Sequence, residues 1–160
     1  MRRLLVFEFS FSLKENSRDF IYIKMRVTDY IKDSIKWLWQ LPQNILALCI
    51  EGILCQTAYR CGIVDGNIII LSNILPSCIS LGDYIFVNGL ISEESMRHKC
   101  GHSKQSDILG PLYLIVIVIP SLLHNIAYYL CSKIGIKWNY FKFYAETWAN
   151  RLAGLNPKRV

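Results

Sequence analysis

The chain has 160 residues, which is enough for a single domain with a buried core. Hydrophobic residues make up 52% and charged residues 19%, and the mean hydropathy is +0.27, so the chain is more apolar than a typical soluble domain. This composition favours a membrane-associated protein. The net charge of +6 suits an anionic lipid surface, but the lysines and arginines are scattered without a basic stripe, so we expect no nucleic-acid binding.

Composition changes near both ends of the chain. Residues 1–24 combine a short aromatic and apolar start with a polar patch, and we expect them to form a peripheral extension. Met25 is as good a candidate start of the protein as Met1. Residues 25–155 are then expected to form one domain, and 156–160 a tail.

The chain carries six cysteines without a C-x-x-C pair or a regular framework. Several lie inside apolar runs, where a free thiol acts as a small hydrophobic side chain. We therefore expect free thiols in a reducing, cytoplasm-facing setting.

The first predicted element is an amphipathic helix from Val27 to Trp39. Its apolar positions follow helical spacing: Val27, Tyr30, Ile31, Ile35 and Leu38. Pro42 is expected to break or restart this helix. The following uncharged run, 37–50, is too short to span a bilayer, so a buried helix and an interfacial helix both remain open.

The next region, 61–91, is rich in β-branched and aromatic residues, with Asp65-Gly66 and Asn88-Gly89 as turn signals. It predicts short strands or hairpins, and the Asp65-Gly66-Asn67 segment is interpreted as a turn and not as a calcium loop. Ser92 is a candidate N-cap for a helix over 93–107, which Gly110-Pro111 ends.

An uncharged stretch of 25 residues, 108–132, is long enough to cross a hydrocarbon core of about 30 Å. Pro111, Pro120, His124 and Asn125 are unusual in a plain span, so a re-entrant or half-buried hairpin is an equal alternative. The third possibility is a pair of buried core helices. We expect association with the cytoplasmic membrane and a lipid bilayer as partner.

A last amphipathic helix is predicted from a face formed by Phe141, Tyr144, Ala145, Trp148, Ala149 and Leu152. Gly154 and Pro157 are expected to end it.

Two of the three histidines, His98 and His102, stand four residues apart on the predicted helix 93–107. Side chains at this spacing share one helix face, so both imidazoles can bind one metal ion, with zinc about 2.0–2.1 Å from each nitrogen. Cys100 points to the opposite side and is a poor third ligand. The alternative is that the two histidines only pack.

The best third ligand is Glu146, in the last predicted helix. Asn150 lies one turn further on the same face, where its amide can hydrogen-bond a ligating imidazole. His124 is the competing third ligand, but its orientation is not readable from the sequence.

The stretch HKCGHSKQSDILGPLYLIVIVIPSL resembles a family of small uncharacterised bacterial proteins with the motif H-E-x-G-H-x-x-Q-S-x-x-L-G-P-L-Y-L followed by P-S. The matching positions are His98, Gly101, His102, Gln105, Ser106, Leu109 to Leu114, Pro120 and Ser121. WQLPQN, SLGDYIFV and ETWANRL match as well, so the resemblance covers Trp37 to Gly154.

HExxH followed by E-x-x-x-[DN] is similar to gluzincin metallopeptidases. This resemblance implies an α+β, predominantly helical, zincin-like domain with a few short strands and one or two apolar helices that can embed in a membrane. It implies zinc ligation by His98, His102 and Glu146, supported by Asn150. The long gap between His102 and Glu146 departs from compact members of that class.

Lys99 occupies the position of the glutamate that activates water in such enzymes. An ammonium has no acceptor lone pair and repels a metal ion, so the leading hypothesis is a membrane-associated, metallopeptidase-like pseudoenzyme. A metal-free structural or interaction protein of the membrane is the second hypothesis. The third is an active hydrolase that uses Lys99 or another base. The peptide or protein that serves as substrate or partner is not indicated by the sequence.

Overall fold

The computed structural model describes residues 27–89, 91–136 and 142–155. Within them lie five α-helices and one mixed sheet, which confirms the predicted α+β class. The helices are α1 (Val27–Trp39), α2 (Leu41–Ile53), α3 (Glu93–Leu109), α4 (Ile119–Lys133) and α5 (Tyr144–Leu152), and the strands are β1 (Ala58–Val64), β2 (Asn67–Ser72), β3 (Ile79–Leu81) and β4 (Tyr84–Val87). The predicted extension 1–24 and tail 156–160 lie outside the described residues.

The four strands have the order β1-β2-β4-β3, with β2 parallel to β4 and the other two pairs antiparallel. Asp65 and Gly66 connect β1 to β2 with φ angles of 48° and 78°, as a two-residue hairpin turn requires. The second hairpin, β3–β4, turns at Gly82-Asp83. Asn88-Gly89 makes no hairpin, because the chain leaves β4 there and continues toward α3.

The central strands β2 and β4 contact other elements on both faces. One face joins a core cluster that includes Ile70, Phe86, Tyr113, Ile117 and Ala145. The other joins Ile69, Ile85, Val87 and Cys100 of α3. This double burial explains why the two segments are near-continuous apolar runs.

Helix α3 begins as the sequence predicts. The Ser92 hydroxyl accepts a hydrogen bond from the Ser95 amide at 3.2 Å, and Glu93 and Glu94 occupy the first turn. The helix continues to Leu109, two residues beyond the predicted end. Gly110 then adopts φ +52°, and a Cβ at this position would overlap the Trp39 ring, so glycine is required for both reasons.

The corner between α1 and α2 caps the end of α3. The Gln43 amide nitrogen donates to the Ser106 hydroxyl at 2.8 Å and to the Gly110 carbonyl at 3.0 Å. The Trp39 indole donates to the Asp107 carbonyl at 3.0 Å. These bonds satisfy backbone acceptors that a helix end leaves free, and they hold α3 in place.

The apolar stretch after α3 is one helical segment. A 3-10 turn (Gly110–Leu112) leads to a π-helical turn (Leu114–Val118), and α4 follows, with Pro120 in its first turn, where a missing N–H is tolerated. The structure thus shows neither a hairpin nor a pair of helices within Leu114–Lys133. We refer to Leu114–Lys133 as the apolar helix.

The apolar helix has 20 residues and, among the described residues, is the one helix long and apolar enough to cross a membrane. Only 6% of its apolar window is buried within the protein. Its π-helical turn contacts α5, because the Tyr144 hydroxyl donates a hydrogen bond to the Val116 carbonyl.

Candidate metal centre

The candidate centre lies where α3 crosses α5. A Cβ added at Gly101 would overlap the carbonyl oxygen of Ala149, so the two helices approach each other more closely than any larger residue would allow. Ala145 and Ala149 are buried, as the predicted apolar face requires, whereas Phe141 lies outside the described residues. This crossing brings the histidine face of α3 against Glu146.

Three donor atoms converge at the crossing. The Nε2 atoms of His98 and His102 are 3.2 Å apart, and the Glu146 Oε2 atom lies 3.0 Å from the first and 3.4 Å from the second. A tetrahedral zinc ion with bonds of 2.0–2.1 Å holds its ligand atoms about 3.3 Å apart. His98, His102 and Glu146 therefore form a possible metal-binding triad with the spacing of one tetrahedral face.

Hydrogen bonds on the far side orient both imidazoles. His98 Nδ1 lies 2.7 Å from Asn150 Oδ1, and His102 Nδ1 lies 2.8 Å from Gln105 Oε1. The Gln105 amide nitrogen donates to the Ala145 carbonyl at 2.8 Å, which directs the Gln105 oxygen at His102. In the tautomer with hydrogen on Nδ1, each ring donates to its amide oxygen and presents the Nε2 lone pair to the centre, as a metal ligand must.

The centre carries the negative charge of Glu146. Burial of Glu146 acts to raise the pKa of its carboxyl, but the hydrogen-bonding histidines outweigh burial and lower this pKa, so Glu146 is a carboxylate. Burial lowers the pKa of His102, which opposes a second proton on that ring. The hydrogen bonds that lower this pKa need a hydrogen on a facing Nε2 atom, and a cation bound by both Nε2 atoms and the carboxylate would replace that hydrogen.

Lys99 is partly buried beside the triad. Burial lowers the pKa of its ammonium group, and the nearby Glu146 carboxylate acts in the opposite direction. Cys100 faces away from the triad and packs against Ile69, Ile85 and Val87 of the sheet. It is therefore not a ligand, as the sequence predicts.

His124, the competing third ligand, lies elsewhere. His124 is a residue of the apolar helix, and its ring stacks on Phe143 with the ring centroids 4.3 Å apart. Ser106 accepts a hydrogen bond from Gln43, and Asp107 accepts one from Gln40.

No role was predicted for Gln105 or Gly101 from the sequence. Gln105 stands three residues after His102 on the same helix, and this spacing could have indicated a partner for the imidazole. Gly101 lies within the H-x-x-G-H stretch, where a small residue on a helix facing another helix can indicate a close crossing.

No protein-family model, curated protein or solved structure matches the chain. The geometry of the triad and the apolar helix are the two observations that bear on function.

Proposed function

We propose that this protein is a zinc-binding, metallopeptidase-like membrane protein that does not hydrolyse peptides. The observation that carries the proposal is the convergence of three donor atoms from His98, His102 and Glu146, with distances of 3.0, 3.2 and 3.4 Å. Both imidazoles are oriented by amide groups, so the donors are preorganised for an ion.

The donor set favours zinc. Two neutral imidazoles and one carboxylate are borderline ligands that suit this ion, and three protein ligands leave a fourth position open. In an active enzyme that position holds the water that attacks the substrate. Hydrolysis also requires a group that takes the proton from this water.

Lys99 in its charged form is unsuited to that task. A charged ammonium donates hydrogen bonds but accepts none, and it adds positive charge beside the ion. We therefore propose a protein that uses its zinc for structure or for binding a peptide or protein partner. The resemblance to zincins supports the arrangement of ligands, and Lys99 argues against the reaction.

The apolar helix supports a place in the cytoplasmic membrane. Twenty residues at 1.5 Å per residue extend about 30 Å, the thickness of a hydrocarbon core. The core helix of a soluble protein is mostly buried, whereas 6% of this helix's apolar window is buried.

Metal analysis of the purified protein tests the proposal. We expect a stoichiometric amount of zinc in the wild type, and loss of that zinc in His98→Ala and in the conservative variant Glu146→Gln. His124→Ala is the matched control, because it removes the third histidine of the chain and should leave zinc unchanged. A wild type without zinc, or with no more than His98→Ala holds, would favour a metal-free interaction protein.

A further inference from the structure

Helix α1 directs an apolar face outward and a polar face toward the rest of the protein, which is the reverse of an amphipathic helix in a soluble protein. We call this arrangement inverted. Four apolar side chains on one face are exposed: Tyr30, Ile31, Ile35 and Leu38. The opposite face is directed at the protein, where the Lys36 ammonium lies 3.1 Å from Asp83 and 3.1 Å from Asp107. In water, the apolar face of such a helix is buried against a core.

Helix α2 also directs polar side chains inward, beside Ala47, which is fully buried in the core cluster. Gln43 and Asn44 are fully buried, and Gln40, just before the helix, is also fully buried. The outer face carries the exposed aliphatic side chains Ile45, Leu46, Leu48 and Ile53. The polar side chains make specific bonds inward: Asn44, for example, accepts from the Asp83 amide at 3.0 Å.

These contacts explain the orientation of both helices. The polar residues that face inward cap α3 and hold the Gly82-Asp83 turn, so α1 and α2 cannot rotate to bury their apolar faces without breaking those bonds. The outward apolar surface is thus a stable property of the fold. It requires an apolar environment that the described part of the chain does not supply.

Two observations favour lipid as this environment. The outward face of α2 lies on an element that adjoins the apolar helix, because α2 packs against the 3-10 turn Gly110–Leu112 that leads into it. Each of the two helices has 13 residues, about 20 Å, which is too short to span a bilayer.

We propose that α1 and α2 lie in the interfacial layer of the bilayer, with their outward faces among the acyl chains, as a second membrane contact beside the apolar helix. This inference rests on the membrane location proposed above. Of the two alternatives that the sequence left open for residues 37–50, a buried helix and an interfacial helix, the inference favours the interfacial helix. Helix α3 is then held against the membrane surface through the corner that caps its end.

Hydroxyl-radical footprinting of the intact protein, in nanodiscs of phosphatidylcholine and phosphatidylglycerol that hold one copy each, tests the inference. Three isoleucines with matched exposure make the comparison: Ile35 on α1 is 64% exposed, Ile115 on the apolar helix 64% and Ile74 in the β2–β3 loop 62%. We expect oxidation of Ile35 and Ile115 to be about fivefold or more below that of Ile74, because acyl chains exclude the radical source, water.

The outcomes separate the two levels of the proposal. Oxidation of Ile35 at the level of Ile74, with Ile115 protected, would overturn the interfacial location and leave the membrane span intact. Equal oxidation of all three would overturn the membrane location itself. As a second measurement, Ile45 and Leu46 of α2 should follow Ile35, and their oxidation at the level of Ile74 would count against the proposal for α2.

Discussion

Single residues outside the triad determine how well it can bind an ion. Asn150 and Gln105 each hold one imidazole by its Nδ1 atom, and Gln105 is itself held by the Ala145 carbonyl. Groups of this kind fix the tautomer and the ring orientation, and their loss commonly lowers metal affinity by about 10–100-fold.

Gln105→Ala should therefore weaken zinc binding by about tenfold or more without removing a ligand. Competition with a chromophoric chelator measures the effect. Gln56→Ala, at an exposed glutamine far from the triad, is the matched control and should bind zinc as the wild type does. Unchanged affinity in Gln105→Ala would show that the imidazole is oriented without this amide.

Lys99→Glu should restore the missing base. General-base catalysis contributes about 10²–10⁴-fold, so we expect peptide hydrolysis by the variant to exceed that of the wild type by about a hundredfold. A fluorogenic peptide assay in the presence of zinc measures it. The double variant Lys99→Glu/His102→Ala should be inactive, and equal activity of Lys99→Glu and wild type would mean that Lys99 is not the defect.

Part of the site could be predicted because it depends on local spacing. His98 with His102, and Glu146 with Asn150, each share a helix face at a separation of four residues, and the structure brings these two faces together. The role of Gln105 depends on the Ala145 carbonyl, 40 residues away in the chain. No local pattern reports such a contact.

At the scale of elements, the crossing of α3 and α5 controls the triad. Helical periodicity predicted both helices, and the structure shows that their contact is built on Gly101 and the backbone at Ala149. Periodicity also predicted α1, but the direction of its apolar face depends on Lys36 and its two distant carboxylates. A pattern of apolar residues does not say whether its neighbour is protein or lipid.

Gly101→Ala should separate α3 from α5, because its methyl group would overlap backbone that cannot rotate away. We expect a loss of about 1–3 kcal/mol of stability and a weaker zinc site. Thermal unfolding and zinc content report the two effects. Gly52→Ala, at a glycine of α2 with open space around it, is the control and should not destabilise the protein, because alanine favours the helix by up to about 1 kcal/mol. Full zinc binding by Gly101→Ala would contradict the close-crossing argument.

At the scale of the whole molecule, apolar surface is distributed unevenly. The sheet supplies most of the buried apolar core, with Ala47, Tyr113, Ile117 and Ala145 packed on it, whereas many aliphatic side chains of α1, α2 and the apolar helix are directed outward. In the membrane location that we propose, the bilayer would be the apolar environment of this outward-facing part.

Leu123→Arg tests this division at the middle of the apolar helix. A charged residue at that depth opposes insertion by about 2.5–3.5 kcal/mol, so the variant should be recovered largely outside the membrane fraction after alkaline extraction. Ile74→Arg, at a similarly exposed side chain in the β2–β3 loop, should remain in the membrane fraction. Retention of both variants would argue against a span at Leu114–Lys133.

The π-helical turn has a consequence for the depth of the metal centre. Its Val116 carbonyl receives the Tyr144 hydroxyl, and within a bilayer no water could take that place. Glu146 follows Tyr144 by two residues, a rise of about 3 Å along α5. An ion held by Glu146 would thus stay level with the first turns of the membrane span and meet only partners that come to the bilayer surface.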